Sequence, residues 1–222
     1  MKLTLANIKK SPQVKAYIEQ TDRAFKGQGY TDHGFRHANL VADRASSIAR
    51  KVGLAKREQE LCAIAGYVHD IGNFIGRMYH QKYGAILFLQ LFNKEKANLK
   101  DTMAITEAII AHDHHEVWIP SKIGAVVILA DKSDVHWSRV IEKEAKNLET
   151  DIHDRVNFSV SKNDLYVYPQ KKVIELKIKI NTKMTDVAEY FEIFTGRMHY
   201  VRQAAEYLGY KFSLVINNSK LA

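Results

Sequence analysis

A mainly α protein is expected, with an all-helical portion over residues 1–155 followed by a small α+β tail of order β-β-β-α-β over residues 156–222. In the first portion apolar residues recur at spacings of three and four, the period of a helix with one buried face. Near residue 155 the period becomes two, most clearly in VIELKIKIN, where Ile174, Leu176, Ile178 and Ile180 alternate with Glu175, Lys177 and Lys179. No internal repeat, low-complexity tract or long linker separates the portions, so they are expected to pack together without a flexible hinge.

The first helices are carried by VKAYIEQ, ANLVADRASSIARKVGL and REQELCAIAGYVHDIG, with Gly53 and Gly72 placed as helix stops. Tyr83 to Phe92 and Asp101 to Ala111 follow, then one long helix from Ile123 to about Leu148 whose apolar beginning passes into the amphipathic WSRVIEKEAKNLE. In the tail, RVNFSV and LYVYP separated by the turn-like SKND, then PQKK before VIELKIKI, predict a three-stranded antiparallel meander. A helix from Asp186 to Leu208 and a last strand, KFSLVI, complete it. Tyr190, Phe191, Phe194 and Met198 lie at helical spacing and form the face expected to pack on the tail sheet.

With 46% hydrophobic and 26% charged residues, 11 Gly and 3 Pro, collagenous and broadly disordered chains are excluded. The longest apolar run, Ile123 to Ala130, is far too short to span a bilayer, and the first residues lack the apolar stretch of a signal peptide. A cytoplasmic protein with no membrane partner is the resulting expectation. Cys62 is the single cysteine and lies in the apolar LCAIAGYVHD, which excludes an intramolecular disulfide and fits a buried thiol. The formal net charge of +8 favours an anionic substrate or partner. Because the basic residues are scattered, without the blocks of a nucleic-acid tail, a phosphorylated small molecule is preferred to nucleic acid, and a plain solvated basic surface carries equal weight. Oligomeric state is left open.

Eight of the ten histidines fall between residues 33 and 136, inside the helical portion. Candidate metal ligands are His37, the doublet His69-Asp70, His80, His112 in AIIAHDHHE, and Asp131 in ILADKSD. Nitrogen and oxygen donors without thiolate suit a catalytic divalent ion (Mn, Fe, Ni, Co or Zn) better than a structural zinc. Taken singly, a histidine at the edge of an apolar helix is more often a hydrogen-bonded core or surface residue. Here YVHD, AIIAH and VVILAD each push a polar side chain out of a sequence that reads as core. Burying one such group alone costs several kcal/mol, so convergence on a shared cation is the economical explanation.

In this order, with HDIGN and ADK, the chain resembles the HD superfamily of metal-dependent phosphohydrolases over about residues 30–140. The resemblance implies that His37, His69, Asp70 and Asp131 bind one metal. Comparison with binuclear members, through His80 before Gly84-Ala85 and the run Ala108-Ile109-x-x-His112, implies that Asp70 bridges to a second ion completed by His80 and His112. One or two ions are therefore expected. His112 and His115 share a helical face, while His114-His115-Glu116 also resembles an HHE motif, so the last ligand stays open among His112, His114 and His115, with His112 preferred. The Gly-Tyr-Pro that follows HHE in the cyclic dinucleotide phosphodiesterases is absent, and Asp113 stands where the dinucleoside tetraphosphatases usually carry threonine.

The expected activity is hydrolysis of a phosphoester or phosphoanhydride bond in a nucleotide or other small phosphorylated substrate by a metal-activated water, with His69 and Asp70 central to catalysis. Arg36, Arg77, Lys82 and Lys132 flank ligands and are candidate phosphate contacts; Arg139 shares that position. His33 and Asp134 are candidates for supporting roles. The rival is an HD-fold binding module that holds a nucleotide or nucleic-acid end with little or no hydrolysis. A complete ligand set weighs against it, since binding alone needs no water-activating metal.

Overall fold

The computed structural model describes residues 3–26, 31–92, 98–114, 116, 118–141, 148 and 151–221. Two helices with almost no polar face lie at its centre. One is α4 (Lys56–Val68), buried continuously from Leu61 to Val68. The other is α7 (Lys122–Lys132), buried from Ile123 to Ala130. A helix apolar on all sides must be surrounded. Around them pack α3 (Phe35–Lys51), α6 (Leu99–Ala111) and, outside α6, α5 (His80–Leu91). The short α1 (Leu5–Lys10) touches α4, and α2 (Pro12–Lys26) follows it.

Local sequence sets several starts. Asn98 accepts the backbone N–H of Asp101 at the head of α6, and Ser121 accepts that of Gly124 at the head of α7. Gly53, with φ +84, takes the left-handed position after α3 and is the helix stop expected of it. Gly72 acts differently. A Cβ there would stand 2.1 Å from the His80 carbonyl oxygen and 2.4 Å from the Gly84 nitrogen, so its missing side chain lets the segment after α4 touch the first turns of α5.

The expected helix from Ile123 to Leu148 is shorter. It ends at Lys132, where the Ser133 hydroxyl donates to the Ala130 carbonyl and the Ser133 backbone N–H to Asp131. The chain then runs through extended His136 into a 3-10 turn, Trp137–Arg139. The Arg139 guanidinium bonds back to the carbonyls of Asp134 and Asp32, holding the break. Residues 142–147 lie outside the described residues.

In the tail, RVNFSV is helix up to Ser159, not strand, and only its last residue, Val160, begins a strand. The helical part belongs to α8 (Ile152–Ser159), because the Asp151 carboxylate caps the N–H groups of His153 and Asp154, and Ile152, Val156 and Val160 recur every fourth residue. SKND is no turn but part of β1 (Val160–Tyr168), whose register slips between Val160 and Lys162. The hairpin of β1 with β2 (Val173–Ile180) is antiparallel. Next, α9 (Val187–Tyr207) crosses over so that β3 (Lys211–Ile216) lies parallel to β2, and a short β4 (Ser219–Lys220) pairs with β3. The β2 and β3 segments are those expected; the meander and its order β-β-β-α-β give way to helix, β-β-α-β-β.

The two halves of α9 carry two cores. Tyr190 and Phe194 pack with Leu176, Ile178, Leu214 and Ile216 of the sheet, as the aromatic stripe predicts. One turn and more beyond, Val201, Ala204 and Ala205 join the main helical core, where α9 lies against α7. Among the described residues no helix is long and apolar enough to cross a membrane.

Candidate metal centre

Helix ends converge at one place. His69 caps the C-terminus of α4, with Asp70 following; His112 caps that of α6; Asp131 lies in the last turn of α7. His37 comes from the first turn of α3 and His80 opens α5. Each apolar run thus terminates in a polar side chain aimed at a common point, and the four histidines are essentially fully buried.

The rings are oriented by their far nitrogens. His69 Nδ1 donates to the Gly66 carbonyl at 2.8 Å, His80 Nδ1 to that of Arg77 at 2.9 Å, and His112 Nδ1 to that of Ile109 at 2.6 Å. His37 Nδ1 donates instead to Asp134 Oδ2 at 2.8 Å. Because carbonyl and carboxylate oxygens accept, each Nδ1 carries a proton and each Nε2 points inward, where it serves as a lone pair whenever it is unprotonated.

The inward atoms form two sets. His37 Nε2 and His69 Nε2 are 3.2 Å apart. Asp131 Oδ1 is 3.3 and 3.5 Å from these two nitrogens, and Asp70 Oδ2 is 3.7 and 3.2 Å from them. His80 Nε2 and His112 Nε2 are 3.0 Å apart, with Asp70 Oδ1 at 3.3 and 3.5 Å. Asp70 turns one oxygen to each pair. Nitrogen and oxygen donors about 2.0–2.2 Å from a divalent ion lie about 3.0–3.6 Å from one another, so both sets fit a shared ion. Ligand atoms of His37, His69 and Asp70, and of Asp70, His80 and His112, lie within 4.8 Å of one another, as do those of His69, His112 and Asp131.

Burial opposes ionisation of Asp70, yet His69, His112 and His80 hold its carboxyl well below the usual range. Burial likewise opposes charge on Asp131, and Lys132, His37 and His69 outweigh it. Asp134 is held low by His37 and Arg139 against the same burial. Burial also disfavours charge on His69, but Asp70 and Asp131 lift its imidazole to about 10. In the metal-free protein a proton on His69 therefore does for two carboxylates what a cation does on binding.

Arg77 and Lys132 both reach the site rim. They pair with Asp113 at 3.2 and 3.1 Å, and Lys132 Nζ is 3.5 Å from Asp131 Oδ2. Arg36 sits behind the site, bound to Asp32 at 2.5 Å and to Asp134 at 2.8 Å. Lys82 is exposed over the Tyr79 ring. His115 lies outside the described residues. His114 is turned away, its Nδ1 donating to the Glu116 carbonyl. His33 donates from Nδ1 to the Thr31 carbonyl and accepts from Arg139 at Nε2, so neither nitrogen is open to a metal.

Three residues gain importance here. Asp134 orients His37, Asp113 gathers the rim cations, and Arg197 of α9 lines the same pocket as Asp70, His112 and Asp131. Asp134, one turn beyond Asp131, carried a local signal; Arg197, among aromatic packing residues, carried none.

Residues 34–149 match the family model described as HD domain. An uncharacterized protein of Methanocaldococcus jannaschii, MJ1020, is 25% identical over 206 residues, covering 83% of this chain and 77% of that protein.

Proposed function

Because the chain belongs to the HD domain family, whose match spans more than half of it, we propose that it is a binuclear metal-dependent phosphohydrolase acting on a nucleotide or similar small phosphorylated compound. The observation carrying this reading is Asp70, whose two oxygens address two separate histidine pairs. A binding module has no use for that arrangement. His37, His69, Asp131 and Asp70 would hold one ion, and His80, His112 and Asp70 the other. When bound, divalent ions lower the pKa of water toward neutrality and neutralise phosphate oxygens.

The chain's own residues do the rest. Fixed Nδ1 hydrogen bonds keep the four imidazoles from rotating, so the donor set is preorganised. Lys132 and Arg77, held at the rim by Asp113, place positive charge where a phosphoryl group gains negative charge. The formal charge of +8 adds attraction for an anionic substrate. Substrate, site residues, metal number and the division at residue 155 into catalytic and accessory units belong to this proposal.

The test is a panel of nucleotides and phosphate esters with metal-depleted protein reconstituted with Mn, Fe, Co, Ni or Zn, wild type beside His37→Ala and Asp131→Ala. Hydrolysis should require metal, vanish with chelator and fall at least about 100-fold in both variants. Tight nucleotide binding without turnover in any metal, unaltered in both variants, would leave the binding module standing.

A further inference from the structure

Arg197 is separated from the ligands by more than sixty residues of sequence yet lines the pocket into which Asp70, His112 and Asp131 face. The other cations of that pocket are engaged. Arg77 and Lys132 share Asp113. Arg139 donates to the Asp134 and Asp32 carbonyls and to His33. Among the described residues no carboxylate pairs with Arg197, whose guanidinium rests 4.8 Å from the Phe194 ring centroid. The Arg139 Nε has no hydrogen-bond partner among the described residues but lies 3.8 Å from Asp134 Oδ2. Arg197 thus brings the unmatched donors to the cleft.

Arg197 is held there by its helix. One turn on, the Tyr200 hydroxyl donates to the His114 and Glu116 carbonyls at 2.7 and 2.5 Å, and the Tyr200 ring lies under Lys132. These contacts tie α9 to the loop that follows His112. Burial and the nearby Arg139 and Arg77 weigh against charge on Arg197, a cost that a bound anion would relieve.

The lining of the pocket limits what enters: its side chains are charged or imidazole, with no aliphatic or other aromatic wall for a base. We propose that Arg197, delivered by the C-terminal helix, is a direct phosphate contact of the site, and that the group admitted is a terminal phosphoryl dianion carrying one ester or anhydride arm. An internal diester carries a single negative charge and matches Arg197, set beside Arg77, Lys132 and Arg139, less well than a dianion does. The leaving portion, nucleoside or otherwise, stays outside and is recognised weakly. This inference rests on the phosphohydrolase reading of the site.

Two measurements test it on full-length, metal-loaded protein: calorimetric binding of inorganic phosphate, and kinetics with p-nitrophenyl phosphate against bis(p-nitrophenyl) phosphate. Arg197→Ala should weaken phosphate binding at least about tenfold and raise the monoester KM similarly, with metal content unchanged; Arg197→Lys should restore part of both. Wild type should prefer the monoester. Alanine is a good helix former, and melting temperature verifies folding of each variant. Phosphate binding indifferent to Arg197→Ala in a folded, active protein overturns the contact, and preference for the diester overturns the substrate class. If wild type hydrolyses neither ester but binds phosphate through Arg197, the contact stands and the hydrolase reading fails.

Discussion

The two histidine pairs of the centre share a spacing and differ in what stands behind them. His37 and His69, and His80 and His112, are each 32 residues apart, and in each pair the Nε2 atoms nearly touch. Behind the first pair stands charge. His37 donates to a buried carboxylate, Asp134, itself bound to Arg36, and Asp131 adds a second carboxylate facing the ion. Behind the second pair stand the backbone carbonyls of Arg77 and Ile109; its nearest carboxylate oxygen is Asp70 Oδ1, with Asp113 Oδ2, already paired with Arg77 and Lys132, 3.8 Å from His80 Nε2. Moreover, Arg77 Nη1 lies 3.1 Å from His80 Nε2, a cation where the proposed second ion would bind. An anionic outer partner raises the basicity of a ligating imidazole, so on the proposed binuclear reading the first pair would hold its ion more tightly. Equal spacing in sequence does not mean equal affinity.

The largest expected effect erases the difference. Asp70→Ala removes the oxygen that each pair shares, so both ions and all hydrolysis should be lost while the helical circular dichroism persists. Metal analysis of the purified variant, with turnover of a phosphate ester, checks this. Wild-type turnover would mean that the centre lies elsewhere.

A smaller change separates the pairs. Asp134→Asn keeps an acceptor for His37 Nδ1 but removes the charge, and should lower affinity at the first pair about 10–100-fold with the second unchanged. A metal titration resolving two affinities reads it directly. The same variant leaves Arg36 and Arg139 less compensated, so its melting temperature should also drop. Equal loss at both pairs would break the comparison.

The smallest effect is on pH dependence in metal-free protein. The imidazole of His69 is lifted to about 10 from an ordinary value of about 6.5, so its contribution to stability is full below about 6.5 and lost as pH rises through about 10. Burial lowers His112, so its contribution is full above about 6.5 and fades as pH falls below that. Melting curves from pH 5 to 10 should therefore show His69→Gln flattening the alkaline decline and His112→Gln the acidic one. An unchanged alkaline slope in His69→Gln would mean that no proton bridges the first pair.

Much of this was visible in the chain. Apolar runs stopping at His69, His112 and Asp131 announced buried polar donors, because a polar group at the end of a core run needs a partner. Period-two alternation placed β2 to the residue, and the expected last strand KFSLVI is β3. The same local logic failed at RVNFSV and after Lys132, where one capping aspartate and one serine overrode patterns too short to decide between helix and strand or to end a helix.

By itself the sequence determined which side chains would be buried donors at the ends of apolar runs, since periodicity and the cost of lone buried polar groups act over a few residues. Only the tertiary structure decided which oxygen of Asp70 faces which pair, that Asp134 rather than a carbonyl holds His37, and that Arg197 comes to the pocket. Those are relations between groups far apart in the chain, set by how α7 and α9 pack. No local pattern carries the direction of a side chain across a packed interface.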